Sequence, residues 1–306
     1  MKKTQIIIIL VLTIFGSNSF SQKIWNSSLG QYAYNPAGGG MNDVGEITSS
    51  YYNTYGSANN NPFGFMLMGT APFPSENFAA GFRITSESGG VLNSTMAEAT
   101  FIYRRPILKN TKLAFGLSAV YNQLSILREK VYAQHPDDPI LNGASSGFWG
   151  DANFGASIYE TNKYYFGIGV YNLLAGRTNL LVTDFTNRSS RLFSFSGMYT
   201  VNVLKGDGKL EVKGLATSYF SKGSSDINYD LSSRIILKKS FWIGSGFAPN
   251  TIKLLFGIYF QNFAIGYSGG IGIGNTSPQN YSLPKHEIML KIDFNNSKAS
   301  RPQLSN

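Results

Sequence analysis

In Pro284–Phe294, near the end of the chain, Ile288, Leu290, Ile292 and Phe294 fall on alternate positions, with Glu287, Met289, Lys291 and Asp293 between them. Successive side chains of an extended strand point to opposite sides. Such a strand therefore has one face that needs hydrocarbon and another whose three charges need water or one another. The same period of two recurs in Ile252–Gln261, where Ile252, Leu254, Phe256, Ile258 and Phe260 oppose Lys253, Leu255, Gly257, Tyr259 and Gln261. It recurs again in Thr111–Asn122, where Leu113, Phe115, Leu117, Ala119 and Tyr121 oppose Ala114, Gly116, Ser118, Val120 and Asn122.

A soluble sandwich also alternates, but its solvent face carries more Lys, Glu and Thr than the Gly, Ala, Ser and Tyr found here. Composition decides against it. Only 14% of the 306 residues are Asp, Glu, Lys or Arg, against about a quarter in a soluble domain, which leaves too few charges to cover a water-facing surface. The 22 Phe, 18 Tyr and 3 Trp suit a lipid-facing wall with aromatic girdles, and Tyr51-Tyr52 and Tyr164-Tyr165 stand at expected strand ends. After the first twenty residues no apolar run reaches the 18 or so of a membrane helix.

The reading is therefore all-β, a transmembrane antiparallel β-barrel of about 14 strands (12–16). Strands are expected near 44–55, 62–71, 77–86, 93–104, 111–127, 149–160, 163–173, 191–204, 209–221, 229–238, 240–248, 252–260, 263–273 and 284–294. Outer-membrane barrels alternate short periplasmic turns with longer external loops. With a periplasmic N-terminus the short connections 160–163, 205–208, 238–240 and 261–262 all fall in even slots, and the longer ones, 128–148, 174–190, 221–228 and 274–283, all fall in odd slots.

Lys2 and Lys3, the apolar run Ile6–Phe15 and Ser19-Phe20-Ser21 before Gln22 form a secretory signal peptide. An apolar run this short spans about 15 Å as a helix, half of a bilayer core. The expected organisation is a cleaved signal peptide at 1–21, an N-terminal periplasmic segment at 22–43, the barrel at 44–294 and a C-terminal tail at 295–306. Cleavage removes two lysines and no acid, lowering the formal charge from +9 to +7. The basic residues are scattered, so no nucleic acid partner is expected; outer-membrane lipid is.

Little in the chain supports catalysis. With no Cys and only His135 and His286, a multi-His metal site cannot form within one chain, and no cofactor is expected. His135 stands beside Pro136-Asp137-Asp138-Pro139; adjacent carboxylates between prolines read as a rigid turn before a hydrolytic or calcium site. His286 opens the last strand and reads as a hydrogen-bonding residue at the barrel rim. Gly38-Gly39-Gly40 and the run Gly269–Gly274 lack the Gly-Lys-Ser/Thr ending of a phosphate loop. Such glycines let a barrel bend or leave room for something inside. Leu215, Leu255, Met289 and Tyr259 on inward faces point to a filled interior.

An ordered series of motifs runs through the chain. It begins with Gln31-Tyr32-Ala33-Tyr34-Asn35-Pro36-Ala37-Gly38, Phe101-Ile102-Tyr103-Arg104, Leu113-Ala114-Phe115-Gly116-Leu117 and Asp137-Asp138-Pro139. Gly150-Asp151-Ala152-Asn153-Phe154-Gly155-Ala156, Tyr165-Phe166-Gly167-Ile168-Gly169 and Asn172-Leu173-Leu174 follow, and Phe263–Ser268 and His286-Glu287-Ile288-Met289-Leu290 close it. The series resembles the PorP/SprF family of outer-membrane proteins of type IX secretion and gliding motility. The resemblance implies a non-enzymatic accessory barrel that helps particular large secreted proteins reach or stay on the cell surface. Its implied partners are adhesin-type cargo with a C-terminal secretion domain and other type IX components. The external loops are the candidate partner-binding surface, with His135, Asp137 and Asp138 in one and Leu180, Leu181, Val182 and Phe185 in the other. A transport barrel, porin or solute channel, is the alternative.

Overall fold

Each segment that alternates in sequence is a strand in the computed structural model, which describes residues 30–54, 61–74, 77–127, 130, 146–179, 186–204, 208–221, 224–238, 240–249, 251–273 and 285–294. The strands are β1 (Gly45–Thr54), β2 (Phe63–Pro72), β3 (Phe78–Gly89), β4 (Leu92–Pro106), β5 (Thr111–Ile126), β6 (Ser146–Glu160), β7 (Tyr164–Tyr171), β8 (Arg177–Asn179), β9 (Thr186–Arg188), β10 (Arg191–Val203), β11 (Gly208–Ser221), β12 (Ser224–Leu237), β13 (Phe241–Ala248), β14 (Thr251–Phe260), β15 (Phe263–Gly272) and β16 (Lys285–Phe294). All but β8 and β9 form one closed barrel. β1 meets β16 in antiparallel register from Gly45↔Phe294 to Thr54↔Lys285, so the barrel sheet closes without a free edge strand. β8 and β9 form a separate hairpin with Arg177 opposite Arg188, and β7 pairs directly with β10.

Which face looks outward follows the alternation. On β14, Ile252, Leu254, Phe256, Ile258 and Phe260 are 43–67% exposed, while Lys253 and Leu255 between them are 0% and 1% exposed. Phe101, Leu117, Phe166, Ile168, Phe195, Ile243 and Leu290 lie on the same outer surface. A continuous belt of this kind is far larger than the apolar patches that water-soluble monomers expose; hydrocarbon is its natural solvent. No helix among the described residues is long and apolar enough to cross a membrane, and the crossing is made by strands.

At the end of the barrel expected to face the periplasm, the connections 73–77, 107–110, 161–163, 204–207, 238–240 and 261–262 are all short. Four of them turn through left-handed residues, Asn162 at φ 63°, Leu204 at φ 54°, Lys238 at φ 46° and Gln261 at φ 50°, which match hairpin twist. Between consecutive strands of the barrel, the longest connections follow β5, β7 and β15. One expected loop is corrected. Residues 221–228 are mostly strand, because β12 begins at Ser224 and Ser221 pairs with Ser224. The polar run Ser224-Ser225-Asp226 reads as a loop only if strands must be apolar, and a strand end that rises beyond the bilayer need not be.

The aromatic pairs need refinement too. Adjacent residues point to opposite sides, so Tyr51 is outward and 47% exposed, while Tyr52 turns inward, where the Lys285 ammonium lies 3.7 Å from its ring centroid. Tyr165 is likewise fully buried. Only one member of each pair can reach the membrane interface.

Residues 30–43, the described part of the segment expected to lie in the periplasm ahead of the barrel, sit inside the lumen. Two single-turn 3-10 helices, Gln31–Ala33 and Pro36–Gly38, shape this plug, and all six of their residues are buried. Tyr32 and Ala33 pack with Met66, Met68, Trp242, Ala264 and Met289. On the other side Ala37 and Met41 pack with Ala114, Tyr159 and Tyr165. The interior that Leu255, Met289 and Tyr259 suggested is filled by the chain's own N-terminal segment.

Candidate functional site

The lumen and its two mouths are where this barrel meets its surroundings. The plug is shaped locally by Asn35-Pro36. Pro36 opens the second 3-10 turn, and Asn35 caps it, its side-chain oxygen accepting a hydrogen bond from the Ala37 amide at 2.8 Å. The Asn35 amide nitrogen then donates to the carbonyls of Ala156 (3.2 Å) and Ile168 (3.0 Å) on β6 and β7. This close approach needs bare backbone on the wall. A Cβ at Gly116 would lie 2.4 Å from the Pro36 carbonyl carbon, one at Gly155 2.0 Å from the Asn35 side-chain oxygen, and one at Gly167 2.5 Å from its nitrogen. Three neighbouring strands thus leave a socket for one Asn-Pro turn.

Charge fixes both ends of the plug. Asp43, where the plug leaves for β1, accepts from Arg104 Nη1 at 2.7 Å and from Lys112 Nζ at 2.9 Å. Arg104 is fully buried and also donates to the carbonyls of Gly40 and, at 3.3 Å, Phe78. Deeper in the lumen Arg83 Nη1 donates to the Ala33 carbonyl at 2.9 Å, while its Nη2 is paired with Glu98 directly across β3 and β4. The Tyr32 hydroxyl and Thr100 share a 2.7 Å hydrogen bond. Burial, with Glu98 nearby, pushes the Tyr32 phenol well above its usual range, so it stays protonated.

The rest of the lumen wall is lined with paired ions. Glu211 faces Arg234 (2.7 Å) and Lys213 (3.6 Å), Lys253 pairs with Asp230, and Lys291 reaches Glu46 at 2.6 Å and Asp293 at 3.3 Å. Charges that leave water must find partners of this kind. Between plug and wall a cavity of about 20 Å³, lined by Gln31, Tyr34, Lys213 and Asp230 among others, has room for about one water.

At the external end Asp151 of β6 gathers the turn that follows β7. Its Oδ1 accepts from the amides of Ala152 (2.8 Å) and Leu174 (2.9 Å), and its Oδ2 accepts from Gly176 (3.0 Å). Asn153, two residues on and on the same face, accepts from the Asn172 amide at 3.1 Å. Gly176 is pressed against Trp149, where a Cβ would stand 2.2 Å from the indole ring. The base of the external β8–β9 hairpin is thereby tied to the inside of the barrel wall.

The expected partner-binding residues His135, Asp137, Asp138, Leu180, Leu181, Val182 and Phe185 lie outside the described residues. So do the expected signal peptide at 1–21 and tail at 295–306. His286 is exposed on the outer face at the external end of β16 and is hydrogen-bonded to the Tyr267 hydroxyl, the rim role expected for it. Among the described residues no group of three or more His, Asp or Glu side chains could hold a metal ion. Sequence reasoning missed the plug, Asp151 and Asn153. The signal available was Gly116, Gly155 and Gly167 on inward positions of three strands, paired with one Asn-Pro turn upstream.

The architecture is shared with solved outer-membrane barrels. A deletion mutant of the TodX monoaromatic hydrocarbon channel matches with a TM-score of 0.50 at 8% identity over 88% of this chain and 95% of that one. A FadL homologue of Pseudomonas aeruginosa gives 0.49 at 10% identity over 85% and 92%. Omp33 of Acinetobacter baumannii gives 0.48 at 11% over 82% and 98%. At such identities the likeness is one of fold alone. No curated protein matches the chain in sequence. A family does: residues 28–292 match the type IX secretion system membrane protein PorP/SprF, from the plug to the last strand, and the chain belongs to that family.

Proposed function

We propose that this barrel is a non-enzymatic accessory of type IX secretion that supports the export or surface attachment of particular large secreted proteins, such as adhesins carrying a C-terminal secretion domain. Family membership over residues 28–292 carries the reading. The filled lumen supports it: with residues 30–43 seated in the periplasmic half, an open diffusion channel is a poor fit, and the surfaces left for recognition are the loops. In this reading the external loops 128–148 and 174–190 hold the cargo by loop packing or strand addition, with His135, Asp137, Asp138, Leu180, Leu181, Val182 and Phe185 as contact residues.

Deleting the gene and measuring the surface and secreted proteomes tests the proposal. General type IX secretion continues, while one or a few large proteins are lost from the surface, degraded or shed into the medium. Replacing loop 128–148, up to Ser146 where β6 begins, and loop 174–190 by short Gly-Asn turns reproduces that loss while leaving the paired residues of β5, β6, β7 and β10 in place. If the deletion removes uptake of a small solute and leaves every surface protein in place, the transport reading replaces this one.

A further inference from the structure

We infer that the N-terminal plug and the base of the external hairpin are one coupled unit, joined through the lumen by Arg83, Glu98 and Asn153. The connection can be followed bond by bond. The Asn172 amide, in the turn after β7, donates to Asn153 Oδ1 at 3.1 Å. Asn153 Nδ2 donates to Glu98 Oε1 at 3.2 Å. The other oxygen of Glu98 holds Arg83, and Arg83 Nη1 donates to the Ala33 carbonyl of the plug at 2.9 Å. Beyond Ala33 the plug runs to Asp43 and its clamp on Arg104 and Lys112 at the periplasmic rim.

Three features make this a connection rather than a string of surface contacts. Arg83, Glu98 and Asn153 are 6%, 4% and 2% exposed, so water does not readily replace a broken bond, and an orphaned partner carries its full desolvation cost. Asn153 uses both ends of its amide, one toward the hairpin base and one toward the plug side, so its orientation depends on both neighbours at once. The turn it holds is rigid at its other end as well, because Asp151 fixes Leu174 and Gly176, and the Asn172 side chain donates to the Ser190 carbonyl at 2.9 Å where the chain returns to β10.

Loosening either end therefore loosens the other, and by thermodynamic reciprocity to the same extent. A ligand that pulls residues 172–176 away from the wall weakens the hold on the plug, and an event that withdraws the plug frees the hairpin base. The coupling belongs to the barrel itself and stands whether or not the external loops bind secreted cargo.

Amide hydrogen exchange of the purified full mature barrel in lipid nanodiscs tests this, with no ligand present. Asp151→Asn loosens the turn by removing the Gly176 contact, and it is expected to speed exchange of the plug amides 31–38 about fivefold or more. Asn35→Ala loosens the plug and is expected to speed exchange of 172–176 by a similar factor. In an Asn153→Ala background, or Asn153→Ser if the alanine variant does not assemble, each substitution acts only on its own end. Folded variants are recognised by the faster gel migration of the unheated barrel. Should Asp151→Asn free the turn while residues 31–38 exchange as in the unaltered protein, the coupling is wrong. It is equally wrong if the cross-effect survives unchanged without Asn153.

Discussion

Gly116→Ala and Gly155→Ala each add one methyl group to the inner wall, and the structure sets what that methyl meets. At Gly116 the new carbon would lie 2.4 Å from the Pro36 carbonyl carbon and 2.6 Å from the Ala37 nitrogen, where non-bonded contacts need about 3.5–4.0 Å. These are main-chain atoms of a capped turn and cannot rotate aside. The wall cannot yield either, because β5 is hydrogen-bonded to β4 and β6 along its length. The plug must back away by about 1 Å or more, which strains or breaks the Asn35 bonds to Ala156 and Ile168. Overpacking of about 1–3 kcal/mol plus about 1 kcal/mol of weakened hydrogen bonding gives roughly 2–4 kcal/mol against the seated plug. The unseated population rises by about 30- to 700-fold at 1.4 kcal/mol per factor of ten. Gly150→Ala, on the same strand as Gly155, is the control, since its Cβ meets nothing nearer than the Val120 carbonyl oxygen at 4.0 Å. Exchange of amides 31–38 reports seating directly, and planar-bilayer conductance reports what an unseated plug leaves open. If Gly116→Ala and Gly155→Ala exchange like Gly150→Ala and the unaltered protein, the segment is not seated against β5–β7.

Mass spectrometry of membrane-purified protein should find a mature chain beginning at Gln22, free or as pyroglutamate; an intact 1–21 segment would contradict export by this route. Leu290→Arg, on the lipid face in mid-β16, should destabilise the barrel by about 2–4 kcal/mol in unfolding experiments in lipid. Lys291→Met should cost a comparable amount, about 3–5 kcal/mol, because Glu46 loses a partner now 2.6 Å away. Adding Glu46→Gln should recover part of that loss, and no recovery would mean that the pair is not what Lys291 contributes.

The last comparison marks a limit of the sequence. Alternation alone makes Lys291 a lumen residue that tolerates methionine better than Leu290 tolerates arginine; it does not reveal the carboxylate across the strand, because that depends on β1 closing against β16 in one register. Strand positions were legible because lipid and lumen impose a period of two over whole strands, as Ile252–Phe260 shows. They failed where that pressure lapses. Ser224-Ser225-Asp226 extends β12 with a polar run, and Arg177–Asn179 with Thr186–Arg188 is a three-residue pairing of polar residues. The plug has no period at all. Gln31–Met41 consists of two separate turns, and its burial becomes visible only when glycines far apart in the chain are brought side by side on β5, β6 and β7.

The glycines and the Asn-Pro turn are best understood as two halves of one contact. A glycine in a strand interior weakens it, and three of them on inward positions of adjacent strands would serve little purpose in a lumen filled with water. Opposite a turn of buried main chain they are what permits Asn35 to reach two wall carbonyls. The same logic explains why the lumen is rich in charge yet closed at its periplasmic half. Arg83, Arg104 and Lys112 face the carbonyls and the carboxylate of the plug as well as acids of the wall. They are the plug's binding surface. A barrel built around its own N-terminal segment has given its interior to that segment. Under the proposed function, what remains for a secreted partner is the external mouth, and Asp151 and Asn153 tie the turn at residues 172–176 to the same interior.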